Sequence, residues 1–352
     1  MNFITSRSKR FLCVITVSSF ALAGCDDSPE GTFDSNANIE KNVVTKGLDV
    51  SLFKEGAFIK EPEIVDCETT AGTKTTCYKL ITSGGPAGRE PGHFCPRNIS
   101  DGVDVSGVWF NKTGEGDLVD LTGDFIVKLA TYYNDPNWQL YDPETGKVRY
   151  TATKEACQGA AKPIVEEEYK QNCIECEMSY LDEDFSRSYL IPTKPIHSEK
   201  TVRVRTAGIA LDGAELSGPA PINAILDSYT IAAFDDCGGH INERQGYHYH
   251  STTGCTDTPV SDDGYAPQIG YAPDGYAIYA MKDAAGNEAE SLDECRGTTD
   301  AVRGYHYRAA SPSENMIIGC LRGETVRPAG RPHHGPGNNP PPRTDDTVSD
   351  KS

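Results

Sequence analysis

Read for the alternation of apolar and polar positions, most of the chain between residues 57 and 200 resolves into short β-type runs. Ile64-Val65-Asp66-Cys67 and Thr75-Thr76-Cys77-Tyr78-Lys79-Leu80 are rich in β-formers and flank the turn-like Thr70-Ala71-Gly72-Thr73. They predict a hairpin whose strands Cys67 and Cys77 can bridge. Trp138-Gln139-Leu140-Tyr141 and Lys147-Val148-Arg149-Tyr150 predict a second hairpin around Asp142-Pro143-Glu144-Thr145-Gly146, where Pro and Gly supply the turn. Only residues 166–177 carry a helical pattern, so the expected class is mainly β. The expectation is a disulfide-braced domain with an internal two-fold repeat of short strands.

That repeat is visible within the chain itself. Gly208-Ile209-Ala210-Leu211-Asp212-Gly213 returns at a shift of 62 as Gly270-Tyr271-Ala272-Pro273-Asp274-Gly275. Asp235-Asp236-Cys237 returns at a shift of 58 as Asp293-Glu294-Cys295, and Gly246-Tyr247-His248-Tyr249-His250 at the same shift as Gly304-Tyr305-His306-Tyr307-Arg308. Each unit, about 208–255 and 270–320, closes on Gly-Cys. Four matched blocks in one order argue for two similar supersecondary units. They suggest packing about a pseudo-twofold axis that brings the two motif strands together. The simplest pairing joins Cys237 with Cys255 and Cys295 with Cys320, although sequence leaves cross-unit pairing open.

These blocks resemble the YHYH domain of exported bacterial proteins over about residues 201–326. The resemblance identifies a domain without implying a reaction, because the family is named for its motif.

The ends of the chain have a different character. Arg7, Lys9 and Arg10 precede an apolar run over residues 11–23, which is too short to span a bilayer and reads as part of a signal peptide covering residues 1–24. The run closes on Leu22-Ala23-Gly24-Cys25, which resembles the lipobox of bacterial lipoproteins. Cys25 is therefore the expected lipidation site, and a lipid bilayer the expected partner. Residues 25–56 read as a flexible linker and the Pro- and Gly-rich residues 327–352 as a disordered tail, where His333 and His334 form an exposed pair. The expected location is the cell envelope, on the periplasmic or outer surface.

Removing residues 1–24 takes away three cations and moves the formal charge from −19 to −22. A chain this acidic is not expected to bind nucleic acid. Of the twelve cysteines, Cys13 lies in the signal and Cys25 is the anchor. The other ten are expected to be oxidised in an exported protein, with the C-x-x-C of Cys173 and Cys176 forming a structural bridge.

Candidate chemistry centres on the motif. Alternation in a strand puts Tyr247 and Tyr249 on one face and His248 and His250 on the other, so that two imidazoles stand side by side. With His240, Asp236 and His306 as further ligands, the set points to a Zn or Cu site or to a small-ligand pocket. Arg308 stands where a symmetrical second site needs a histidine, so any site is asymmetric. Three alternatives stay open: structural histidines in an interaction module, a metal-free acid/base site, and a metal-dependent enzyme with Asp236 or Glu243 as base. No G-x-S-x-G, H-E-x-x-H, phosphate loop or dinucleotide fingerprint is present, and no catalytic residue is assigned. Asp212 and Asp274 are expected to hold turns before Gly213 and Gly275.

Overall fold

The computed structural model describes residues 45–110, 118–162, 164–256, 258 and 261–326, all within one compact unit. The signal segment, Cys25 and the tail pair His333 and His334 lie outside the described residues. The protein is mainly β, built around one eight-stranded sheet. In chain order the strands of that sheet are β1 (Thr206–Ala210), β2 (Glu215–Ser217), β3 (Gly239–Asn242), β4 (Gly246–Tyr249), β5 (Gln268–Tyr271), β6 (Ala277–Tyr279), β7 (Gly297–Asp300) and β8 (Gly304–Arg308).

Their order across the sheet is β3-β4-β2-β1-β5-β6-β8-β7, which reads the same from either edge when β1–β4 are matched with β5–β8. At the centre β1 and β5 run antiparallel, with Ile209 opposite Tyr271 and Ala210 opposite Gly270. Ile209 and Tyr271 are also each other's mates at the shift of 62, so the matched strand order is centred on this pair. The expectation that this symmetry unites the two motif strands is corrected here. The strands meeting at the centre are β1 and β5, and β4 and β8 lie five strand spacings apart, ~24 Å for an ordinary sheet.

The predicted hairpin forms as Glu63–Glu68 and Lys74–Thr82, with Arg187–Pro192 added antiparallel to its second strand. The second predicted hairpin is reduced to a turn and one bridge, Tyr141 to Val148. Residues 166–177 do not form the predicted helix. A single 3-10 turn at Glu167–Tyr169 ends at Gln171, whose φ of +60° breaks any helical run, and Cys173–Ile174 is a strand paired with Ile231–Ala232. The longest helix among the described residues, Gly123–Tyr132, begins at Thr122, whose side chain accepts from the Phe125 amide, and it buries Phe125, Ile126 and Leu129. Residues 45–56, assigned by sequence to the linker, instead contribute Leu48 and Phe53 to a core shared with Leu80, Ile209 and Tyr271.

All ten cysteines of the described residues are paired. Cys67–Cys77, Cys237–Cys255 and Cys295–Cys320 form as expected. Cys173 and Cys176 do not bridge each other: Cys173 reaches back to Cys95, and Cys176 to Cys157 on the helix Lys154–Ala160. Alternating strand geometry at Cys173–Ile174 sends the two sulfurs of the C-x-x-C to different neighbours. No helix among the described residues is long and apolar enough to cross a membrane.

Candidate metal centre

The Asp235-Asp236-Cys237-Gly238-Gly239 segment turns the chain into β3. Asp235 accepts from the amides of Cys237 and Gly239, each at 3.1 Å, which closes the turn. Gly238 has a φ of +81°, and a Cβ there would stand 2.2 Å from the Ser251 hydroxyl. The turn delivers His240 opposite His248 in the antiparallel β3–β4 pair, where facing residues share one side of the sheet. His250 follows one residue beyond β4 and lies on that side too. Cys237 and Cys255 close the ends of this hairpin with a bridge spanning 18 residues, a constraint of about 3 kcal/mol.

His240, His248 and His250 thus meet. One ligand atom of each lies within 4.8 Å of the others, and the ring centroids are 4.6 to 5.1 Å apart. Two of the rings are oriented by backbone carbonyls. His248 Nδ1 lies 3.0 Å from Gly246 O and His250 Nδ1 2.6 Å from Gly218 O. A carbonyl only accepts, so Nδ1 carries the proton in both rings and each Nε2 keeps a lone pair. Asn242 Nδ2 approaches His248 Nε2 at 3.5 Å. Among the described residues the His240 ring has no hydrogen bond, and it packs on Phe234 with centroids 4.6 Å apart.

Burial holds all three rings neutral. His248 is pushed down to about 4 and His250 to about 3, with His248 reinforcing the effect on His250. His240 is driven well below the ordinary imidazole range by burial and then by His248 and His250. Neutral imidazoles with free lone pairs are the form a metal takes, so no proton has to leave at neutral pH.

Two of the ligands expected from sequence are not here. His306 sits in the other half of the sheet, where its Nδ1 faces Gly304 O at 2.8 Å and its Nε2 faces the Tyr265 hydroxyl at 2.5 Å. Asp236 is exposed on the outside of the turn, where its backbone carbonyl accepts from Thr253. The carboxylate that turns inward is Asp235, and it faces the tyrosines. Glu243 is not among the residues lining the cavity described below, and it accepts from Gln158. Neither Asp236 nor Glu243 stands where a general base for the cluster belongs.

The opposite face of β4 explains the tyrosines. Tyr247 donates to Asp235 at 2.8 Å and Tyr249 to Asp212 at 2.6 Å, and Arg89 donates to both tyrosines and to Asp235. Asp212 also accepts from the Ala214 amide, so it holds its turn as expected and receives a tyrosine as well. Sequence reading missed Arg89, Asn242 and the carbonyls of Gly218 and Gly246. No local signal marks Arg89, which lies 158 residues from Tyr247. The asparagine is legible only as the residue two beyond His240 in the same strand.

Beside the imidazoles lies a cavity of about 320 Å³, lined also by Ala160, Ala161, Val165, Ile174 and Ile225.

Fold and site together define a disulfide-braced, mainly β protein whose central sheet exposes a three-histidine cluster to a small, partly apolar cavity. Residues 188–319 match the family model described as YHYH protein, so the chain carries a YHYH domain. No curated protein and no solved structure matches the chain.

Proposed function

We propose that this protein is a lipid-anchored envelope protein whose YHYH domain binds one transition-metal ion, Zn or Cu, through His240, His248 and His250. The observation that carries the reading is the convergence of three neutral imidazoles, two of them oriented by Nδ1–H donation to carbonyls so that each Nε2 keeps its lone pair. A tetrahedral Zn with nitrogens at about 2.1 Å needs ligand atoms about 3.4 Å apart. Imidazole suits Zn and Cu alike, and with every described cysteine in a disulfide no thiolate competes for the ion.

The test is metal content and calorimetry on the full chain carrying His333→Ala and His334→Ala, so that the tail pair contributes nothing. One equivalent of Zn or Cu is expected, falling to none in His248→Ala/His250→Ala with the fold retained through the tyrosine face. Purified and reconstituted protein taking up no metal, with the double variant losing stability instead, would assign the histidines a structural role.

The anchor rests on the Leu22-Ala23-Gly24-Cys25 sequence. Cell fractionation should find the wild type with the membrane and Cys25→Ser in the soluble fraction. A Cys25→Ser chain that stays with the membrane refutes acylation as the attachment.

A further inference from the structure

We infer, resting on that metal reading, that the ion keeps an open coordination position toward the 320 Å³ cavity and that the ligand taken there is a small carboxylate with an apolar body. Three protein ligands and a vacant direction are the pattern of metal sites that bind an exogenous ligand, whereas structural sites are closed by four. No fourth His, Cys, Asp or Glu joins the three imidazoles among the described residues.

The sign of the ligand follows from charge. Three neutral imidazoles leave a divalent ion uncompensated. The charged residues lining the cavity are Lys162, Glu175 and Arg244. Lys162 pairs with Glu166, and Glu175 is held by Arg97. The Arg244 guanidinium has no ion pair or hydrogen bond among the described residues, so the free charge facing the cavity is positive. An anion satisfies both the ion and this rim.

The body of the ligand follows from the wall. Val165 and Ile174 are buried, and with Ala160, Ala161 and Ile225 they give the cavity that the histidines line an apolar wall. A molecule whose carboxylate reaches the metal places its hydrocarbon against that wall. A cavity of this volume is at the small end for ligand sites, which limits the body to a few carbons or one ring.

The experiment loads the full-length His333→Ala/His334→Ala chain with Co(II), whose visible bands report coordination, and titrates acetate, butyrate, hexanoate and hexanol. Each carboxylate should perturb the bands, with affinity rising about threefold to fourfold per added methylene, and hexanol should leave them unchanged. Ile225→Trp, which fills the wall, should abolish the gain in affinity of hexanoate over acetate. Bound cobalt whose bands no carboxylate moves, or equal affinity for acetate and hexanoate, overturns the proposal alone. Failure to bind cobalt removes the metal reading and the proposal with it.

Discussion

The two halves of the central sheet share one face and differ on the other. On the shared face Tyr247 and Tyr305 donate to Asp235 and Asp293 at 2.8 and 2.9 Å, and Tyr249 and Tyr307 donate to Asp212 and Asp274 at 2.6 Å each. Each pairing holds a turn of its own half. On the other face His240 is matched by Thr298 and His250 by Arg308, and only His248 keeps its counterpart, His306. The tyrosines of the motif therefore belong to the scaffold, where a buried carboxylate needs its donors. The histidine face differs between the halves: in one three imidazoles meet, and in the other Arg308 donates to the carbonyls of Ala280 and Met281.

The shared face is itself unequal, and pH gives the largest test of the comparison. Burial pushes Asp274 up to about 6 even though Tyr307 and the amides of Gly323 and Tyr276 donate to it. Asp212 is raised by burial as well, but there Arg89 stands nearby and works in the opposite direction. A carboxyl raised in the folded state stabilises below its unfolded value of 3.8 and loses that contribution as pH rises through 6. The loss amounts to about 3 kcal/mol for a shift of this size. Between pH 3.8 and 6 the stability of the wild type should fall by about that amount more than the stability of Asp274→Asn, as read by denaturant unfolding. Asp212→Asn should change the fall less. An equal or larger change at Asp212 would show that Arg89 does not distinguish the two halves.

Alternation alone placed Tyr247 and Tyr249 opposite His248 and His250, and the repeat spacing anticipated Cys237–Cys255 and Cys295–Cys320. Both depend on short-range geometry, which a strand imposes on any sequence. What stayed hidden depends on which segments meet across the fold. A shift of 58 equates His306 with His248 without saying whether their strands lie at the centre of the sheet or toward opposite edges. Likewise the C-x-x-C of Cys173 and Cys176 gives no sign that Cys95, at a separation of 78, is the partner of the first. Leu48 and Phe53 were assigned to a linker because their neighbours are polar, and only the receiving surface of Leu80, Ile209 and Tyr271 makes them core. In residues 123–132 the β-branched Ile126 and Val127 obscured a helix that its Thr122 cap and its buried face stabilise.

The smallest expected effect is also the sharpest probe of the comparison, because it asks the second half to acquire the site proposed for the first. Its backbone already offers the supports. Gly304 O orients His306 as Gly246 O orients His248, and Arg308 Nε donates at 2.8 Å to Ala280 O, the carbonyl equivalent to the Gly218 O that receives His250. The register sets Thr298 opposite His306 as His240 stands opposite His248. What blocks a site is chemical: Thr298 offers no imidazole, Arg308 carries a fixed charge, and the Tyr265 hydroxyl takes up the lone pair on His306 Nε2. Since Nδ1 of His306 is committed to donation, that hydroxyl must be the donor. Thr298→His, Arg308→His and Tyr265→Phe together should therefore add a second equivalent of Zn to the first. Its affinity should be about 10- to 100-fold weaker, since the carbonyls that orient the new rings are in place but the surrounding packing was not built around imidazoles. Calorimetry on the full chain in the His333→Ala/His334→Ala background reads the stoichiometry. A folded triple variant that still takes up one equivalent, at zinc concentrations 1,000-fold above the dissociation constant of the proposed first site, would show that carbonyl orientation and register are not enough to make a metal site of such a cluster.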